Sequence, residues 1–385
     1  LLASSAASDV YKRQIYKNVK KKVLHIIGGM GRGGAPIFII NNLKYVDDTK
    51  LQFDFLCRKD NCAYDDIIKQ HGGNIYIVPD FPRHLFSNFT QTLRFFREHA
   101  SEYEALHVHA NALYYILPLI LGKIYSIKKI ILHSHNTQSN IGVLQPLHYI
   151  NRLFVHALSN VHLACGQEAG KWMYCNKPFE VINNAVDVDK FKYCGQSREA
   201  IRKELGLSKE AYLIGNVGRF EVAKNHTFII DVFKNIHDIK PSAVLLLVGE
   251  GSLFEEMKEK VMLLGLTEFV YFLGLRSDVE RIYSAMDLFF LPSLFEGLPF
   301  VLVEAQCSGV NCLVSDAVTK EAFITDLVTS MKLEDDIKEW VSAVDHLSTI
   351  QKDRSQYAEV IRQKHYDIGY TAAKLTEIYT KPLEP

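Results

Sequence analysis

The chain lacks net charge: 44 Lys and Arg stand against 44 Asp and Glu in 385 residues. No global field therefore draws it to nucleic acid or to an anionic membrane. It has seven cysteines but no C-x-x-C pair. Their odd number, and settings such as VHLACG and VEAQCSG, read as buried thiols in a reducing cytoplasm rather than as a disulfide framework or a zinc site. Long apolar runs are missing too. ALYYILPLIL, residues 112–121, contains Pro118 and is followed by Lys123, Lys128 and Lys129, so it reads as a buried helix and not as a membrane span. The opening LLASSAASDVYKRQ has neither periodicity nor an apolar h-region. It reads as a non-native leader over 1–14, similar to translated adapter sequence, ahead of a protein that starts near Ile15.

What is present is alternation. KKVLHII (21–27) is followed by a glycine loop and the helical run PIFIINNLKYV (36–46). LQFDFLC (51–57), NIYIVP (74–79), ALHVH (105–109), KKIILHSH (128–135) and VHLACG (161–166) are strand-like, with helix-like runs between them, including LYYILPLILGKIY. A polar, turn-rich stretch from VINNAVDVDKF (181–191) to about Ser208 interrupts the pattern. It then restarts with AYLIGNVGR (211–219), SAVLLLVG (242–249), FVYFLG (269–274), DLFFLP (287–292) and VNCLVSD (310–316). The expectation is α/β: two doubly wound, Rossmann-like parallel-sheet domains in tandem. Their bounds are 15–185 and 186–365. The final helical pattern, within 366–385, either closes the second domain or crosses back to the first.

In such sheets ligands bind beyond the carboxyl ends of the strands, so the loops there matter most. Gly29, Gly31 and Gly34 in HIIGGMGRGGAPIFII spell G-x-G-x-x-G between a strand-like and a helix-like run, the dinucleotide fingerprint in its usual context. Asp54, 20 residues beyond Gly34, falls inside LQFDFLC rather than at its tip, which argues against NAD. The loop then reads as phosphate contact or as a tight turn. His133 and His135 share one side of a strand, His135 nearer the tip, and suit either a sugar hydroxyl or a surface cap. Arg219 and Lys224 lie five apart after a strand and suit a diphosphate leaving group, or a solvated loop. In FEGLPFVLVEAQCSG, Glu296 precedes a helix start at Gly297 and Pro299, and Glu304 lies inside that helix. Two carboxylates could serve glycoside hydrolysis, but a helix N-terminus between them favours an anion. Leu275 and Arg276 follow another strand and could flank a nucleobase. Asp187 and Asp189 form D-V-D, a weak metal motif in a turn. FPRHLFSNFTQTLRFFREH reads as a core-facing helix, or as a membrane-leaning surface.

Glu296, Glu304 and the GLPFVLVEAQCSG around them resemble the signature of retaining GT-B glycosyltransferases of family 4. GGMGRGGA, SHNTQ, ACGQEAGKWMY, VINNAVDVDKF, VGRFEVAKNH, LLLVGEGS and YFLGLRSDV resemble further family blocks, in family order, from about Lys20 to Tyr379. The exopolysaccharide and capsule branch is the most similar. The resemblance implies a GT-B fold whose two domains face each other across a cleft, and transfer of a sugar from a nucleotide sugar, UDP-linked, to a saccharide or lipid-linked saccharide. It implies no cofactor, no metal and no nucleic acid partner, and a cytoplasmic protein with peripheral membrane association as an option. On this resemblance Arg219 and Lys224 hold the diphosphate with backbone at Gly34, and Glu304 holds the ribose. Glu296, with backbone at Gly297, Leu298, Pro299 and Phe300, holds the donor sugar. His135 touches the sugar near the reacting carbon, and Leu275 and Arg276 flank the base. Pro36 stands where the family has Glu, Asn183 and Ala185 where it often has Pro and Gly, and Asn311 where Pro is common. The competing readings are a nucleotide-sugar epimerase, an NAD-dependent oxidoreductase and a silent sugar-nucleotide-binding protein.

Overall fold

A computed structural model describes residues 20–137 and 142–383; the expected leader at 1–14 lies outside them. The chain divides into two units, 20–183 with 368–383, and 184–367. The first unit holds β1 (Lys21–Ile27), α1 (Gly34–Leu43), β2 (Leu51–Cys57), α2 (Asp65–Gln70), β3 (Ile75–Ile77), α3 (Leu85–His99), β4 (Tyr103–Ala110), α4 (Leu117–Ile124), β5 (Lys129–Ser134), α5 (Gln145–Arg152), α6 (Val155–Leu158), β6 (Val161–Ala164), α7 (Gln167–Tyr174) and β7 (Glu180–Val181). The second holds α8 (Val188–Phe191), α9 (Gly195–Glu204), β8 (Tyr212–Val217), α10 (His226–Ile239), β9 (Ala243–Val248), α11 (Phe254–Leu263), β10 (Val270–Phe272), α12 (Val279–Ala285), β11 (Leu288–Leu291), α13 (Phe300–Cys307), β12 (Asn311–Ser315), β13 (Val328–Met331), α14 (Ile337–Thr349) and α15 (Tyr357–Gln363). The last helix, α16 (Ile368–Thr380), belongs to the first unit.

Each unit is one parallel sheet, in the orders β3-β2-β1-β4-β5-β6-β7 and β10-β9-β8-β11-β12-β13. Helices cover both faces of such sheets, so central strands are buried on both sides and read as continuous apolar runs. β9 (AVLLLV) and β11 (LFFL) are buried at every position. Burying each large apolar side chain is worth about 2–3 kcal/mol, which explains why these runs rather than local propensity set the strands. Both orders reverse at the first strand of the unit, between β1 and β4 and between β8 and β11. That is the switch point at which doubly wound sheets open a crevice.

Two expectations need correction. The polar stretch 181–208 contains the division between the units, at 183/184, but it is not built of turns alone: it carries α8 and α9. Asp187 caps α8 by accepting from Lys190 N–H at 2.9 Å, and Arg198 and Arg202 of α9 bind Asp287. Its low apolar content reflects a helix fixed by ion pairs and carbonyl contacts. The helix expected over LYYILPLILGKIY begins only at Leu117, because Pro118 lacks an N–H and is tolerated only in a first turn.

α16 is tied to the first unit by specific bonds. Thr371 Oγ1 meets Asn42 Oδ1 of α1 at 3.1 Å, and Lys21 Nζ donates to the Thr380 carbonyl at 2.8 Å. Tyr379 is buried, with its hydroxyl 2.7 Å from His107 Nδ1. Among the described residues no helix is long and apolar enough to cross a membrane.

Candidate active site

The two loops that flank the second switch point are 218–225, after β8, and 292–299, after β11. Lys224 comes from one and Glu296 from the other, with Nζ 2.5 Å from Oε1. Ser293 Oγ donates to the same carboxylate oxygen at 2.9 Å. The loops are stitched together: Leu294 N–H donates to the Ala223 carbonyl at 2.8 Å and Asn225 Nδ2 to the Pro292 carbonyl at 3.1 Å. Ser315, at the end of β12, donates to the Ser293 carbonyl. Both charged side chains are mostly buried, 18% and 13% exposed. A pair so placed gains little net stability, because desolvation offsets the attraction. What it does is hold a cation and a carboxylate side by side, each able to exchange its partner for an anion or a hydroxyl.

Backbone crowding shapes the neighbouring loop ends. Gly249 follows β9 at φ +138°, and a Cβ there would sit 2.0 Å from the Gly218 carbonyl oxygen. Its N–H donates to the Gly274 carbonyl at 2.8 Å. The tips of β8, β9 and β10 are thereby layered, with Arg219 exposed at the first. Leu275, at the third, is exposed, whereas Arg276 is committed: its guanidinium grips Asp278 at 2.8 and 2.9 Å and Glu204 at 2.7 Å.

Leu298 and Phe300 are buried, and Asn184 Nδ2 donates to the Leu298 carbonyl at 2.8 Å. This anchors the loop that enters α13. Pro299 is the cap residue rather than the first helical one, and no side chain caps the helix. Its first-turn N–H groups and the dipole therefore favour an anion. Glu304 lies on α13 and accepts from Tyr283 Oη at 3.0 Å. Burial lifts its carboxyl to about 7, against the opposing pull of that hydrogen bond and of Lys190. Ser293, Tyr283 and Asn184 escape sequence reading because no spacing marks them; they lie 3, 21 and 114 residues from the groups they hold.

In the first unit the glycine loop divides by role. A Cβ on Gly29 would meet Asn61 Oδ1 at 2.3 Å, and one on Gly31 would meet Asn61 Nδ2 at 3.2 Å. Packing against the loop after β2 thus accounts for both. Gly34, the first residue of α1, has nothing within 4 Å of such an atom, and Gly33 caps the helix without a side-chain bond. Asp54 is fully buried and takes hydrogen bonds from Asn74, Gln52 and Tyr103, so it is a structural carboxylate and not a ribose ligand. Asp189 of the D-V-D motif pairs with Arg362 and Lys192. His135, just past β5, shares a 2.8 Å hydrogen bond with His109 of β4. Sequence reading passed over His109, although H-x-H recurs in ALHVH and LHSH at the period that puts alternate residues on one face.

Comparison with known proteins gives these arrangements a context. The family described as "Glycosyl transferases group 1" matches residues 197–364. The chain is 30% identical to the putative glycosyltransferase EpsF of Bacillus subtilis (strain 168) over 373 residues, 94% of this chain and 96% of that one. Over 168 residues, 43% of each chain, it is 31% identical to an Escherichia coli UDP-Gal:alpha-D-GlcNAc-diphosphoundecaprenol alpha-1,3-galactosyltransferase. The fold is similar to that of Anabaena Alr3699/HepE, solved in complex with UDP and glucose, with a TM-score of 0.69 at 19% identity, covering 93% of this chain and 99% of that one. Full-length similarity to a glycosyltransferase, and the GT-B architecture of two parallel-sheet units, make this chain a member of the group 1 glycosyl transferases.

Proposed function

We propose that the chain is a retaining, family 4 glycosyltransferase of the exopolysaccharide and capsule branch. It moves a sugar from a UDP-sugar to a hydroxyl of a polysaccharide or lipid-linked oligosaccharide. The observation that carries this reading is the Lys224–Glu296–Ser293 group at the second switch point, in the loop that leads into α13, a helix whose start carries no side-chain cap. With donor bound, Lys224 leaves Glu296 for the diphosphate, and Arg219 joins it. Together they neutralise the charge that grows on the departing nucleotide. Glu296 Oε1 keeps Ser293, and Oε2 accepts a sugar hydroxyl. Glu304 takes the ribose hydroxyls, backbone at Leu275 and Arg276 meets the base, and His135 touches the sugar. The glycosidic bond to phosphate breaks as the acceptor oxygen bonds the same face of the anomeric carbon. The acceptor proton passes to the leaving phosphate oxygen.

Two cations and a helix N-terminus supply this neutralisation without a metal, so dialysis against EDTA leaves turnover unchanged. The choice of UDP is supported by the ligands of HepE and by the E. coli relative's name; that name also supports a lipid-linked acceptor. Thermal-shift titration with UDP, GDP, ADP and NAD, followed by transfer assays with UDP-sugars, tests the reading. Stabilisation by UDP and transfer with retained anomeric configuration are expected. Stabilisation by NAD alone, or donor conversion with no acceptor, would replace it with the oxidoreductase or epimerase reading.

A further inference from the structure

Five histidines from three adjacent strands share one face of the first sheet: His25 on β1, His107 and His109 on β4, His133 and His135 at the end of β5. His25 is in register with His107, and His109 with His133. Phe38 of α1 stands edge-on to His133 and His135, and Tyr379 of α16 closes the other side. The rings form two rows. In the outer one, His25 Nδ1 lies 2.9 Å from His109 Nε2, and His109 Nδ1 lies 2.8 Å from His135 Nε2. Ring centroids along this row are 5.2 and 5.0 Å apart at 13° and 30°. Those values describe N–H···N bonds nearly in the ring planes. The second row, Tyr379–His107–His133, stacks against the first, with His107 on His109 and His133 on His135, both at 4.1 Å.

The nitrogens of His25, His107 and His109, and those of His109, His133 and His135, lie within 4.8 Å of one another, close enough to suggest a metal. The ring directions argue otherwise. A metal needs three lone pairs converging on a point about 2.0–2.1 Å away, whereas both nitrogens of His109 are already spent on neighbouring rings. Each neutral imidazole has one N–H and one lone pair, so three rings in series must all carry the hydrogen on the same nitrogen. His25 Nε2 is buried with no partner. A buried orphan N–H is rarer than a buried orphan acceptor, so that atom is the bare one. Burial pushes His25 and His135 down to about 3, so the rings stay neutral near pH 7.

We propose that His25 and His109 are positioning residues that hold His135 as its Nδ1–H tautomer, so that Nδ1–H, and not Nε2, is what His135 offers to the donor sugar. This rests on the reading of His135 as a sugar contact. The chain ends blind at His25, so it fixes a tautomer and carries no proton away.

The test is long-range proton–nitrogen NMR of the full protein labelled in histidine, with kinetics of three variants. In the unaltered protein His25, His109 and His135 all read as Nδ1–H. His25→Leu cuts the row: His135 loses its single tautomer, and kcat falls about tenfold with the donor KM unchanged, as expected when an imidazole loses the partners that fix it. His25→Asn, whose amide nitrogen sits where Nδ1 did, restores both. An Nε2–H reading for any of the three, or zinc bound stoichiometrically with metal-shifted histidine signals, overturns the proposal. So does an unchanged His135 signal in His25→Leu. If that variant does not fold, the spectrum of the unaltered protein still decides. Undiminished turnover in His135→Ala, with the three-ring pattern found in the unaltered protein, overturns the sugar-contact assignment instead, which separates the two failures.

Discussion

At the residue scale, the Lys224–Glu296 pair makes an asymmetric prediction. Glu296→Gln keeps the shape and the Ser293 contact but removes the charge, and kcat should fall on the order of a hundredfold or more, as when one preorganised electrostatic contact is lost. Lys224→Ala leaves Glu296 mostly buried without its partner and, on the proposed mechanism, strips a cation from the leaving group; turnover should be abolished. Circular dichroism melts alongside the assay show whether either loss is merely unfolding. Near-normal kcat in either folded variant removes these residues from the site.

Glu304 makes a prediction in pH. In the folded chain its carboxyl titrates at about 7 against an ordinary value of 4.5, chiefly through burial. Folding therefore takes up a proton between those limits. This group's contribution to stability is full below about 4.5 and is lost as pH rises through about 7. On the role proposed for Glu304, UDP binding runs the other way, because it is the carboxylate form that would accept ribose hydroxyls. UDP affinity by calorimetry should rise about tenfold between about pH 6 and pH 8, since one pKa unit is a tenfold change in protonation. Glu304→Gln should flatten that profile. A slope that persists in the variant assigns the titration to another group.

At the element scale, the loop ends depend on contacts with no side chain in them. Gly249→Ala would drive a Cβ into the Gly218 carbonyl at a positive φ. We expect a loss of at least about 2 kcal/mol in chemical denaturation, with weaker donor binding, because the residues flanking Arg219 must shift. Gly34→Ala adds a Cβ to open space and should cost little stability; any loss there should appear in KM. Of the three fingerprint glycines, two are spent on Asn61. The motif was legible in sequence, but its division into packing and exposed glycines was not, since Asn61 arrives from the loop after another strand.

At the scale of the whole molecule, the chain leaves the first unit at 183 and returns to it at 368. Removing α16 takes away Tyr379, Thr371 and the carbonyls that hold Lys21 and Lys129. Hydrogen exchange after deletion of residues 368–383 should show protection lost in β1, β4 and β5 and kept in β8, β9 and β11. Equal loss in both sheets would mean that the units do not keep separate cores.

Local spacing by itself determined much of this protein. Strands such as AVLLLV, the glycine-led turns, the Arg219–Lys224 pair and the Glu296–Glu304 spacing are properties of neighbours in the chain, and short-range sterics and periodicity govern them. That is why the two sheets and most strand-tip residues could be read without coordinates. Tertiary structure decided the rest. Burial on α13 raises the Glu304 carboxyl against the pull of Tyr283 on α12 and Lys190 on α8, and Asp278 and Glu204 occupy the Arg276 guanidinium. His25, His109 and His135 meet only because β1, β4 and β5 lie side by side, across separations of 84 and 26 residues. Strand order is fixed by how buried faces pack, and no local pattern in the sequence carries it.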